Sequence, residues 1–283
     1  MSDEPRIVEP DGLYTPGIKR HSLEKIRLHN RYASIFTTAM RDRWPQLAYI
    51  GLYAGAGHAL LAGSGDTVET SGLAVLRQPH PFTDYIYVDR DPRCVNALRA
   101  RTDALNPSAK VTILEQDVNH CATQVKGALP AFTKSNGLLS FCFVDPFDLQ
   151  FRFETIRALS HLRMDFLVLL MLGVDARRNF STYMNDISST RIDDLIDCRT
   201  WREEFASRHA EKRTNRILFL LGKFDQAMQR VGYLSAAGDA HWVKIDGMGV
   251  MQYVLAFYSK DPVGQKFWRQ TRASLSPQLG FGL

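Results

Sequence analysis

Five apolar runs of strand length, at 48–53, 85–88, 111–115, 138–144 and 166–171, alternate with helical patterns at 71–77, 92–104, 119–129 and 154–162. The runs are apolar nearly throughout rather than at every second residue, the pattern of strands buried on both faces. A parallel strand is reached from its predecessor only through a crossover, so this alternation predicts a parallel sheet with helices on each side. The expected class is α/β: a doubly wound, mostly parallel, Rossmann-like sheet. A helix is predicted over 21–44, where Leu23, Ile26, Tyr32, Ile35, Phe36 and Met40 recur near the helical period and Pro45 stops the helix.

After Gly173 the rhythm breaks. Residues 175–232 read as a helical insertion, longer than a single crossover needs. Apolar alternation returns at 241–245 and 251–258 with Gly247 and Gly249 between, which predicts a C-terminal antiparallel hairpin. Residues 1–19 carry three prolines and few apolar anchors, so a flexible arm is expected there, followed by one domain over 20–283.

Composition excludes several classes. With 45% hydrophobic and 23% charged residues the chain can build a core and is not of the disordered type. Its longest apolar stretch, 166–172, is too short to span a bilayer, and the first eleven residues lack the apolar region of a signal peptide. Cys94, Cys121, Cys142 and Cys198 form no CxxC pair, so neither a metal site nor a disulfide frame is expected, and a cytoplasmic location is. A net charge of +5 leans toward a polyanionic partner. The basic clusters, among them Arg177 with Arg178 and Arg213 with Arg216, are either solvated helix faces or parts of one nucleic-acid footprint.

Two strands end in turn chemistry suited to a ligand. Tyr49-Ile50-Gly51-Leu52-Tyr53-Ala54-Gly55-Ala56-Gly57 closes the first, where Gly55 and Gly57 let the backbone approach a bound group. Phe141-Cys142-Phe143-Val144-Asp145-Pro146-Phe147 closes the fourth, at the carboxyl edge where open α/β sheets keep their ligands. Asp89 ends the second strand, the position from which nucleotide-binding folds grip ribose hydroxyls. Asp91 instead reads as a helix N-cap, with Pro92 at the first helical position. Asp117, past the third strand, either reaches the amine of an adenine or caps the helix near His120.

Asp145 can accept from an amino group, Pro146 fixes the backbone as it leaves the sheet, and Phe147 offers a flat face for stacking. Asp-Pro is also a common turn opener. Together these residues predict S-adenosylmethionine as cofactor, held by Tyr53, Gly55, Gly57, Asp89 and Asp117. Asp145, Pro146 and Phe147 would carry the transfer of a methyl group to an acceptor nitrogen, with nucleic acid as the expected partner. A hydrolase is poorly supported, since the chain has no GxSxG elbow and no His pair at metal-ligand spacing.

These motifs, in this order, resemble the three-Cys-motif partner proteins of bacteria. The resemblance covers nearly the whole chain. It runs from His21-Ser22-Leu23-Glu24-Lys25, through Tyr53-Ala54-Gly55-Ala56-Gly57 and Val144-Asp145-Pro146-Phe147, to Phe257-Tyr258-Ser259-Lys260-Asp261-Pro262 and Gly264-Gln265-Lys266-Phe267-Trp268. It implies a class I S-adenosylmethionine methyltransferase sheet and a gene neighbour encoding a phage-related cysteine-motif protein, hence a defence or mobile-element setting. An active methyltransferase and an inactive partner subunit of the same fold both agree with it. Two positions depart from the family. Gly51 stands where relatives carry an acid, and Asp148 follows Asp-Pro-Phe where they carry Gly. Gly57 and Asp89 lie 32 positions apart, and the surplus around 62–67 would be a lid over the cofactor or a plain surface loop.

Overall fold

Every apolar run named above forms a strand of one seven-stranded sheet in the computed structural model, which describes residues 4–133, 136–211, 215–244 and 251–275. The chain begins with β1 (Ile7–Val8), β2 (Gly17–Ile18), α1 (Ser22–Met40), β3 (Gln46–Leu52), β4 (His58–Leu61) and β5 (Thr67–Glu69). There follow α2 (Ser71–Ala74), β6 (Asp84–Asp89), α3 (Pro92–Leu105), β7 (Val111–Glu115), α4 (Ala122–Ala128), β8 (Leu138–Val144), α5 (Phe153–Leu159) and β9 (Met164–Leu170). Four helices then interrupt the sheet: α6 (Arg177–Asn185), α7 (Arg191–Ile196), α8 (Trp201–Glu211) and α9 (Arg216–Arg230). The chain returns to the sheet with β10 (His241–Lys244) and β11 (Met251–Tyr258), and α10 (Pro262–Leu275) follows.

The strand order is β10-β11-β9-β8-β3-β6-β7. Strands β3, β6, β7, β8 and β9 are parallel, and β11 runs antiparallel to both β9 and β10. The glycines expected between the last two strands, Gly247 and Gly249, lie outside the described residues. Both sheet faces are covered. On one, Tyr32, Phe36, Leu98 and Trp268 from α1, α3 and α10 pack over Tyr49, Tyr85, Phe141 and Phe257. On the other, Val125, Ile156, Phe180, Trp201 and Phe224 from α4 to α9 pack over Ile50, Ile86, Cys142 and Phe166. The chain winds outward from β3 through β6 to β7, then restarts on the other side of β3 with β8. The carboxyl ends of β3 and β8 therefore flank a topological switch point.

Two local expectations change. Helix α1 stops at Met40, and 41–44 forms a turn in which the Arg43 and Trp44 amides donate to the Met40 carbonyl, each at 3.0 Å. The residue before Pro45 is driven out of the helical region, which ends the helix early. The N-terminal segment, expected as a loose arm, instead supplies the edge strands of a second sheet of order β1-β5-β4-β2. The surplus between Gly57 and Asp89 is the β4–β5 hairpin, and it gives β1 and β2 their partners. Pairing with that hairpin satisfies backbone groups that a free arm would leave to water.

Arg101 of α3 clasps the arm from below. It is 5% exposed and donates to both Asp11 carboxylate oxygens at 2.7 Å, to the Tyr14 carbonyl at 3.0 Å and to the Ala56 carbonyl at 2.7 Å. These hydrogen bonds hold the Asp11 carboxyl well below the usual carboxylate range.

Candidate active site

Beyond β3 the backbone passes through three left-handed residues, Tyr53 (φ +62°), Gly55 (φ +67°) and Gly57 (φ +84°). Only glycine fits at position 57, where a Cβ would lie 2.8 Å from Leu73 Cγ. At Gly55 a Cβ would meet nothing within 4 Å, so one face of the turn is open to a ligand. The Gly55 amide donates to Asp89 Oδ2 at 2.8 Å, and the Asp91 amide donates to Asp89 Oδ1 at 2.9 Å. Asp89 is 7% exposed and ties the glycine turn to the end of β6, each oxygen keeping a further lone pair. Asp91 caps α3 as its position suggests, accepting from the Arg93 amide at 2.9 Å.

Asp117 also caps, accepting from the Asn119 amide at 2.8 Å. It lies close enough to Tyr53 that its charge, with that of Asp148, adds to the burial that raises the Tyr53 phenol above its ordinary value. Tyr53 packs edge-on against Phe151. Tyr53, Gly55, Asp89 and Asp117 thus ring the carboxyl ends of β3, β6 and β7. Asp148 closes a local turn by accepting from the Gln150 amide at 2.9 Å, a role suited to its short carboxylate.

Asp145 follows β8, its amide donating to the Leu52 carbonyl at 3.2 Å. Pro146 is buried, and Phe147 stands out with 73% of its surface exposed. The Asp145 carboxylate is engaged: Lys25 Nζ of α1 donates to both oxygens at 2.7 Å. The sequence reading did not find Lys25, which lies 120 residues away. The signal that carries it is a helical stripe, Lys25, His29, Tyr32 and Phe36, spaced to share the face of α1 that packs on the sheet.

Below this pair, His29 is fully buried and links Asn30 Oδ1 at 3.0 Å to the Tyr49 hydroxyl at 2.9 Å. The Tyr49 and Tyr87 rings fill the space over Gly51, where a Cβ would lie 3.1 Å from Tyr87 Cδ1 and 3.3 Å from Tyr49 Cε1. An acid there would have to push these rings aside.

Of the four arginines expected at a nucleic-acid surface, Arg178 is exposed on α6. Arg216 is exposed at the start of α9, its guanidinium 5.0 Å from the Phe180 ring centroid. Arg213 and the side chain of Arg177 lie outside the described residues. Among the described residues no cluster of His, Cys, Asp or Glu is arranged to hold a metal ion, and no helix is long and apolar enough to cross a membrane. A cavity of about 350 Å³ lies at the opposite, amino edge of the sheet, lined by Phe36, Met40, Trp44, Asp165, Gly264 and Phe267. It is remote from the glycine turn.

The antiparallel β11 inserted between β9 and β10, beside five parallel strands, defines the Rossmann-like fold of methyltransferases. No family model matches the chain, and no curated protein matches its sequence. Among solved structures it is similar to magnesium protoporphyrin IX methyltransferase from Synechocystis PCC 6803, crystallised with bound SAM. That likeness has 9% identity, a TM-score of 0.42, and covers 87% of each chain. An O-methyltransferase from Bacillus cereus in complex with SAH matches at 10% identity and TM-score 0.42, over 82% of this chain and 80% of that one. EvdMO1 matches at 9% identity and TM-score 0.42 over 84% of this chain, which spans only 42% of EvdMO1.

Proposed function

We propose that this protein is an S-adenosylmethionine-dependent methyltransferase whose acceptor is an amino group on a nucleic-acid base. The observation that carries the reading is the Asp89-braced glycine turn, open at Gly55 and set beside Asp145-Pro146-Phe147 at one switch point. Gly55 and Gly57 would let the backbone approach the cofactor, Asp89 has lone pairs left for ribose hydroxyls, and Asp117 and Tyr53 border the space for an adenine. When bound, the cofactor supplies an electrophilic methyl group. Asp145 would orient the acceptor amine and Phe147 would stack the base, so the gain in rate comes chiefly from proximity and alignment. No strong base is required, because the amine can shed its proton after attack. Arg178 and Arg216, with Arg177 and Arg213, would meet the substrate backbone. The setting we propose is cytoplasmic defence or a mobile element, with a three-Cys-motif protein as partner.

A second reading, a non-catalytic partner subunit of the same fold, is favoured by two observations: the tyrosine-filled space at Gly51 and the Lys25 ion pair on Asp145. Calorimetric titration with S-adenosylmethionine and its demethylated product separates the two. Micromolar binding that Asp89→Ala weakens at least roughly tenfold supports the enzyme, through loss of a buried hydrogen-bonding carboxylate. Methyl transfer to nucleic acid should then disappear in Asp145→Ala. Absence of binding at millimolar ligand leaves the partner-subunit reading.

A further inference from the structure

Lys25 occupies the place on Asp145 that an acceptor amine would need. Nζ lies 2.7 Å from both carboxylate oxygens, and the two side chains are only 15% and 16% exposed. The helix cannot carry Lys25 away, because its first turn is tied to the last strands. Glu24 Oε1 pairs with His241 Nε2 at 2.6 Å, and the His21 carbonyl accepts from the Tyr253 hydroxyl at 2.8 Å. An arriving amine must therefore displace the lysine side chain alone. Removing one partner of a half-buried ion pair leaves a charge uncompensated, and a neutral aromatic amine returns less than the ammonium gave.

Resting on the amine-acceptor reading above, we infer that Lys25 is a specificity-determining residue that selects acceptors carrying, besides the amine, an anionic group within reach of its displaced side chain. The amine donates to Asp145 and the anion takes Lys25, so that the displaced ammonium regains a charged partner. Phosphate is the anion that a nucleic-acid acceptor offers, and lysine binds it as a compact point charge on a flexible stem. The site then admits nucleotides and strands and rejects nucleosides and free bases. Lys25 acts on the acceptor, with no part in holding the cofactor.

Calorimetry on the full chain tests this with cytidine, cytidine 3′,5′-bisphosphate and uridine 3′,5′-bisphosphate, none of which carries the adenine of the cofactor. Cytidine bisphosphate should bind at least roughly tenfold more tightly than either of the others, the size expected for one charge-assisted contact. This comparison needs no variant. Equal binding of cytidine and its bisphosphate overturns the inference, as does a uridine bisphosphate that matches the cytidine one. In Lys25→Met, with its fold checked by melting, cytidine should gain and the gap should shrink below about threefold. A persisting gap overturns the proposal. So does loss of S-adenosylmethionine binding in a folded Lys25→Met protein, which would assign the lysine to the cofactor. If the unaltered protein shows the nucleotide ordering without binding S-adenosylmethionine, this inference stands and the methyltransferase reading falls.

Discussion

At Gly51 the neighbouring rings decide what the position can hold. The space above Gly51 belongs to the rings of Tyr49 and Tyr87. Tyr49 is held there by His29, and the Tyr87 hydroxyl by the Gly72 carbonyl at 2.7 Å. An acid at position 51 should therefore harm the protein. Gly51→Asp is expected to lower stability by about 2–4 kcal/mol, the range for overpacking combined with a buried charge, as read by urea unfolding. An unchanged midpoint with tighter cofactor binding would show that the tyrosines yield. Asp89, Asp91 and Asp145 were legible as residues because each ends a strand or opens a helix. Lys25 was not, since nothing local distinguishes it from an ordinary helix cation until α1 is laid against β8.

At the level of elements, alternation and period recovered the five parallel strands and most of their crossovers, because burial on both faces leaves so plain a mark. The four-stranded second sheet escaped for an equally physical reason. Strands β1 and β2 are two residues each, too short for any periodicity, and their register is imposed by the β4–β5 hairpin and by Arg101. Arg101 is accordingly the element-scale test. Arg101→Met keeps much of the side chain's bulk and removes the donors to Asp11, Tyr14 and Ala56. It should cost about 3–5 kcal/mol, as expected when one partner of a buried charged pair is removed. Hydrogen exchange should rise together over residues 5–18 and 54–57 while that of β8 and β9 stays low. Exchange rising in the arm alone would mean that the glycine turn stands without it.

At the scale of the whole molecule, the buried groups His29 and Asp165 have opposite effects on stability. His29, enclosed in the aromatic face, is pushed down to about 4 because burial disfavours its cation. Below its ordinary 6.5 the unfolded chain takes a proton that the native protein refuses, so stability falls as pH drops from about 6.5 to 4. Asp165, buried beside the amino-edge cavity and hydrogen-bonded by Tyr32 at 3.1 Å, is pushed up to about 7, chiefly by burial. Its native carboxyl keeps a proton that the unfolded chain loses near 3.8, so stability falls as pH rises from about 4 to 7. The two slopes oppose each other over their shared window. Asp165→Asn should unmask the histidine: its unfolding free energy should climb by about 1–3 kcal/mol between pH 4.5 and 7, where the parent changes less. Denaturant melts at the two pH values check this, and parallel profiles would refute it.

The clasp on the N-terminal arm also has a consequence for the order of synthesis. Residues 5–18 leave the ribosome before their partners in β4 and β5, and well before their anchor Arg101. The segment therefore waits for the β4–β5 hairpin to find its strand partners, and longer still for its clasp. The clasp closes only after α3 has emerged, and the turn at Gly55 and Gly57 gains its last brace, from Arg101 to the Ala56 carbonyl, in the same event.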